Sequence, residues 1–252
     1  MKKIDYHIHA DFSKDSKIKL SELIPLAMKL GYSELAITEH LDLLPQEVTS
    51  LGIPSLDKYK EFIYQTRIRY PDIKIHFGVE VGDYQSVKDL AEPLVKKSDF
   101  DIVLGSVHFV NNRINVAIPI KGKLTATDII DYYEQNLLLV ETCDIDVLAH
   151  LGVYKRYFQS SPDETHCLLI IKKIFEVMIK KGIALEINFS CLRKTYKHLL
   201  PEDNYLLLYK NLCGKLVTIG SDSHTLEQFD DNYIFAIQAV KQYNFTLLAI
   251  NT

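Results

Sequence analysis

The chain has 252 residues, 47% hydrophobic and 25% charged, the composition of a globular protein near the upper limit of what one core can serve. Its net charge of −4, without a long Lys/Arg run, excludes the basic footprint of a general nucleic-acid binder, though not one local cationic site for a small phosphorylated substrate. The opening MKKIDYHIHA is charged where a signal peptide needs an apolar segment, and no run of ~18 apolar residues follows. Cys143, Cys167, Cys191 and Cys213 lie more than twenty residues apart, with no CxxC pair. They read as reduced thiols, most of them buried, in a cytoplasmic protein without a membrane partner.

In chain order, the first short apolar β-type run is Lys3–Tyr6. "KLSELIPLAMKLG" has helical periodicity and ends at Gly31, where a C-terminal cap belongs. After the second run, Leu35–Thr38, "SLDKYKEFIYQTRIRYPD" opens with Ser55 as N-cap and stops before Pro71. Ile73–Val79 and Asp101–Leu104 are the next strands, followed by the helical "TATDIIDYYEQNLLLVETC". Asp146–Ala149 precedes "SPDETHCLLIIKKIFEVMIKKG", read as a helix with Pro162 in its first turn and Gly182 at its end. Ala184–Asn188 and Leu216–Ile219 complete seven strands. Strands alternating with helices make a parallel sheet with crossover helices, either doubly wound or closed into a barrel. No Pro/Gly/Ser-rich linker divides the chain, so residues 1–252 are expected to form a single domain.

The chemistry favours the barrel. Six of the seven strands are followed by a group that binds metals: His7 and His9 after the first, His40 in "TEH", Glu80 in "GVE", His108 in "GSVH", His150 in "LAH", and Asp222 and His224 in "GSDSH"; the sixth runs into "EINFS". Six of the nine histidines fall at these positions; His76, His166 and His198 do not. In a parallel α/β barrel the C-terminal strand ends surround one mouth, so residues far apart in sequence converge there. Alternation along a strand points His7 and His9 the same way, with Asp5 at the same parity to support a histidine from behind. Taken singly, the elements have ordinary readings. Asp15 would cap the helix beginning near Leu20, Glu80 would pair with a lysine, and GSDSH would be a turn. Jointly they do not. Burying this many imidazoles and carboxylates without partners costs several kcal/mol, which metal ions would offset.

"DYHIH", "TEH", "GVE", "GSVH", "DVLAHLG" and "GSDSH" together resemble the polymerase and histidinol phosphatase (PHP) superfamily over Asp5 to His224. "GSVHF", "KRY" and "EINFSCLRK" make the chain most similar to its monofunctional histidinol-phosphate phosphatases. The resemblance implies an α/β fold, a distorted (β/α)7 TIM-like barrel, with three divalent ions (Zn, Mn or Fe). His7, His9, Glu80 and Asp222 would hold the first; Glu80 would bridge to a second held by His108 and His150; His40, His224 and Asp15 would hold the third. Many relatives carry histidine where Asp15 stands, and Asp11 is its rival. Three divalent ions bring about six positive charges; Glu80, Asp15 and Asp222 remove three, leaving roughly the charge that a phosphate dianion and a hydroxide would balance.

The implied reaction is hydrolysis of the phosphomonoester L-histidinol phosphate to L-histidinol and phosphate by a metal-activated hydroxide, with Glu80, Asp222 and His40 as catalytic residues. Arg156 and Arg193 are candidate phosphate ligands, Asn188 a candidate hydrogen-bond partner of the substrate or of a ligand, and Glu39 either a supporting acid behind the ligands or a partner for the substrate ammonium. The rivals are a phosphodiesterase or nuclease, which needs a basic and aromatic groove not evident here, a phosphotyrosine phosphatase, and a non-catalytic metal-binding module.

Overall fold

The computed structural model of the protein describes residues 2–50, 54–111, 113–120 and 122–250. The strands are β1 (Ile4–Ile8), β2 (Glu34–Asp42), β3 (Lys74–Gly82), β4 (Ile102–Ser106), β5 (Phe109–Val110), β6 (Ile114–Asn115), β7 (Val147–Leu148), β8 (Ala184–Asn188), β9 (Leu216–Gly220) and β10 (Thr246–Leu247). All except the β5–β6 hairpin form one parallel sheet in the order β1-β2-β3-β4-β7-β8-β9-β10. The sheet curls into the expected distorted barrel. Beyond β9 the chain runs along β1: Asp222 N donates to His7 O at 2.8 Å and His9 N to Ser223 O at 3.1 Å. These bonds close the seam at the C-terminal rim. At the opposite end β10 pairs with the start of β9, Thr246 beside Leu216.

The helices are α1 (Leu20–Lys29), α2 (Pro45–Ser50), α3 (Leu56–Arg69), α4 (Lys88–Ser98), α5 (Ala126–Thr142), α6 (Leu168–Lys181), α7 (Asp203–Asn211) and α8 (Tyr233–Tyr243). The large apolar layer lies between helices and sheet; Ile24 and Ala27 of α1 and Ile171, Ile174 and Phe175 of α6 belong to it. A small second cluster contains Ile4, Tyr6, Ala36, Ile102, Leu104, Val147 and Ala184, the barrel interior. Below it, Tyr6 Oη donates to Glu34 at 2.9 Å, and His76 Nε2 lies 3.3 Å from the same carboxylate. His76 is therefore a buried structural histidine at the far end, while His166 and His198 are exposed. Among the described residues no helix is long and apolar enough to cross a membrane.

Local signals account for most boundaries. Thr125 and Asp128 form a reciprocal capping box at α5, and Gly182 (φ 74°) closes α6 in the left-handed region. Two expectations are corrected. Pro162 precedes α6 rather than lying in its first turn, because a short 3-10 turn, Thr165–Cys167, intervenes. Ser55 stands at the N-cap of α3, but its side chain makes no capping bond.

Candidate metal centre

The groups that follow the strands meet at one end of the barrel. His40 and Glu80 are register partners on β2 and β3, and Glu80 points inward into a ring of imidazoles. Glu80 oxygens lie 2.9 Å from His150 Nε2, 3.1 Å from His40 Nδ1, 3.4 Å from His7 Nε2 and His9 Nε2, and 3.5 Å from His108 Nε2. Asp222 Oδ1 is 3.5 Å from His9 Nε2 and 3.9 Å from His7 Nε2. Asp15 Oδ2 lies 3.6 Å from His40 Nε2 and 3.4 Å from His224 Nε2. Two ligand positions are held in the left-handed region, His150 at φ 26° and Asp222 at φ 49°, strain that the surrounding bonds must over-determine.

The donor set fits cations. His7 Nδ1 lies 2.7 Å from Glu186 Oε1, so it donates there and leaves Nε2 as the atom that faces the cluster. That Nε2 is 3.1 Å from His9 Nε2, and His40 Nε2 is 3.4 Å from His224 Nε2. Such gaps suit a shared proton and equally a shared cation; it is the convergence of further imidazoles and carboxylates on the same points that favours the cation. Ligand atoms of His7, His9 and Glu80, of Glu80, His108 and His150, and of His9, His40 and His224 each lie within 4.8 Å of one another. Burial alone would raise Glu80, but His7 and the hydrogen bonds of His108, His150 and His40 hold it well below the usual carboxylate range. Burial, then the charges of His40 and His224, pushes His9 well down, so it is neutral and ready to ligate.

Asp11, the rival of Asp15, is engaged at the start of α1. Its Oδ2 accepts from Leu20 N at 2.9 Å, so Asp11 caps α1 and leaves Asp15 for the cluster. Asp5 accepts from the backbone N of His7 and of Ser221 (3.1 and 3.0 Å), and the imidazole support expected of it comes from Glu186. The Glu186 carboxylate also receives His150 N at 2.6 Å, so one buried acid orients two ligands. Strand parity, applied to β8 as it was to β1, would have found Glu186. Gly220 makes room for it: a Cβ there would collide with Glu186 Oε1 and stand 2.7 Å from His7 Cβ. Gly220→Ala is expected to lower stability by about 1–3 kcal/mol and to reduce bound metal; a melt and elemental analysis would show both.

A cavity of about 470 Å³ opens over the cluster, within the range of small-molecule sites. Asp42, Glu47, Asn115, Ala117 and Ile118 belong to its lining, as do Arg156, Tyr157, Arg193 and Lys194. Arg156 donates to Ser190 Oγ at 2.8 Å and pairs with Asp222 Oδ2. Arg193 Nη2 donates to the carbonyls of Ser221 (2.7 Å) and Asp222 (3.2 Å), and Nη1 to Gln228 O and Asp231 Oδ1, both at 3.2 Å, bracing the turn that carries Asp222. The Nε atoms of both arginines are buried without a hydrogen-bond partner. Asn188 and Glu39 do not reach the cavity, which corrects the expectation of substrate contact. Asn188 is fully buried, bonded to Glu186 and Ser190; Glu39 accepts from Ala10 N, Phe12 N and Ser13 Oγ under the loop after β1. Asp42 and Glu47 were not anticipated, although Asp42 shares inward parity with His40.

The PHP domain profile matches residues 5–190. The chain belongs to the PHP domain family. PHP relatives include a probable histidinol-phosphatase of Clostridium acetobutylicum, 29% identical, with 95% of this chain and 93% of the relative covered. The histidinol-phosphatase of Lactococcus lactis is 28% identical over 89% of this chain and 85% of its own. A crystal structure of histidinol phosphate phosphatase from Lactococcus lactis, complexed with zinc, L-histidinol and phosphate, superposes with a TM-score of 0.82 at 27% identity, covering 100% of this chain and 97% of that one.

Proposed function

We propose that this PHP chain, one domain over residues 1–252, is a phosphomonoester hydrolase that converts L-histidinol phosphate to L-histidinol and phosphate. The observation that carries it is the convergence of the imidazole–carboxylate cluster and two guanidinium side chains, Arg156 and Arg193, on one cavity. Guanidinium matches phosphate oxygens bidentately, and the cluster beneath it supplies the sites for cations. The relatives named histidinol-phosphatase, matched over nearly the whole chain, support the substrate.

In this reading His7, His9, Glu80 and Asp222 hold one ion, Glu80, His108 and His150 a second, and His40, His224 and Asp15 a third, drawn from Zn, Mn or Fe. Bound divalent ions would supply a nucleophile from water at neutral pH and neutralise phosphate charge. The chain does the rest. Arg156 and Arg193 hold the non-bridging phosphate oxygens. Asp222, between the cluster and Arg156, accepts a hydrogen bond from the attacking water and orients it. The alcohol end of the substrate is cationic, and the cavity carries acids to meet it: burial, then the charge of Asp42, pushes Glu47 up to about 8, and burial raises Asp42. A substrate ammonium beside them would restore both carboxylates to the ionised form. The four cysteines are free thiols, as in a reducing compartment such as the cytoplasm.

The test is metal analysis of the purified protein with phosphate release from L-histidinol phosphate, phosphotyrosine and a phosphodiester. A kcat/KM preference of about 100-fold or more for L-histidinol phosphate is expected. Equal rates, or preference for the diester, would replace the substrate; full metal without turnover would make the chain a binding module.

A further inference from the structure

We infer that the buried network of Lys155, Glu164 and Glu202 is a positioning device that aims Arg156 into the cavity. The inference rests on Arg156 being a phosphate ligand. Lys155 and Arg156 are neighbours on one 3-10 turn, Val153–Tyr157. Arg156 lines the cavity, whereas Lys155 is 1% exposed and belongs to the protein interior. Lys155 Nζ donates to Glu164 Oε2 at 2.5 Å and to Glu202 Oε1. Glu164 receives four donors: the hydroxyls of Tyr133 and Tyr154 at Oε1, and Lys155 and the Tyr205 hydroxyl (2.7 Å) at Oε2. Four is the lone-pair capacity of a carboxylate. Glu202 also accepts from the hydroxyls of Tyr196 and, at 3.2 Å, Ser161. Tyr132 Oη receives Gly152 N at 2.8 Å, and Tyr196 N donates to the carbonyl of Arg156 itself at 3.3 Å. The turn is thus tied to α5, to the segment before α6, to the loop after β8 and to the first turn of α7.

Stability alone does not explain this choice. Taking three ions out of water is costly, and well-packed apolar side chains of the same volume are often as stabilising. What apolar packing lacks is direction. A five-residue 3-10 turn has few backbone bonds of its own, and an arginine displaced by ~1 Å from its phosphate loses on the order of 100-fold in rate. Burial and the charge of Glu164 push Tyr154 and Tyr205 far up, so both stay phenols and keep donating throughout the working pH range. Burial alone would raise Glu202, but Lys155 outweighs it and keeps the carboxylate ionised. The network is closed, and its tyrosines remain donors.

A double-mutant cycle on the metal-loaded protein tests this, read as the Kd of inorganic phosphate by calorimetry, with kcat, KM and the melting temperature alongside. Arg156→Ala is expected to weaken phosphate about 100-fold and Lys155→Met about tenfold. In the Arg156→Ala background Lys155→Met should cost nothing further, because the group it aims is gone. Glu202→Gln keeps the shape and removes one charge beside Lys155; it gives the same cycle with about a threefold loss if Lys155→Met does not fold. A lowered melting temperature with unchanged phosphate affinity, or losses that add in the double variant, would overturn the inference. If Arg156→Ala itself leaves phosphate affinity intact, the phosphate-ligand reading fails first and the positioning role falls with it.

Discussion

Glu80→Gln is expected to lower kcat by about three orders of magnitude or more, roughly 4 kcal/mol of barrier. The amide has the shape of the carboxylate, so packing is kept and only charge and ligand character change. Five imidazole nitrogens surround Glu80 within 3.5 Å, from β1, β2 and the segments after β4 and β7. Among the described residues no other carboxylate lies this close to so many of them. A bridging carboxylate is the arrangement that lets two cations stand close together, because its negative charge lies between theirs. Gln offers one neutral oxygen and an N–H2 that would point at a ligand. Elemental analysis should show metal lost together with activity. Near-normal turnover with a full metal complement would remove Glu80 from the centre of the site.

The sequence carried the plan of this site because its signals are local and redundant. Six of the seven apolar runs of strand length end in a ligand type, and β pairing then brings those ends together without further instruction. The PHP motifs add order to that pattern. What stayed hidden depends on packing. Strands β5, β6 and β10 have two residues each, too few for any period to show. Glu186, Asp42 and Glu47 support or face the cluster, yet each stands in an apolar or loop context where a single acid reads as solvated. Asn188 and Glu39 were open to two readings, contact with substrate or support of the ligands from behind, and strand geometry and the loop after β1 turn both inward, away from substrate. Asp15 and Asp11 exchanged their alternatives through one bond, Asp11 to Leu20 N, which sequence spacing does not resolve. Lys155, between a ligand strand and an active-site arginine, gave no signal, since lysine on a turn is ordinarily exposed.

Stripping the metals with a chelator is expected to abolish hydrolysis and to lower the melting temperature, and the loss should grow with pH. An ion bound only by the folded state stabilises it by about 2.7 kcal/mol at a hundredfold excess over its Kd, which for a chain of this size is roughly 5–10 °C. The pH trend follows from His108. Burial disfavours its charge, but Glu80, Asp42 and Asp83 push it up to about 9 in the metal-free protein, above the value of an unfolded histidine. A raised histidine stabilises the metal-free fold fully below ~6.5, and that contribution is lost as pH rises through about 9. Metal binding has the opposite slope, because the ion must displace that proton and binds better as it leaves. The difference in melting temperature between metal-loaded and metal-free protein should therefore widen from pH 6 to about pH 9, read by calorimetry in matched buffers. A constant difference would mean that His108 carries no proton in the free site. A difference that narrows would mean that metal binding takes up protons instead of releasing them, which excludes displacement of the His108 proton.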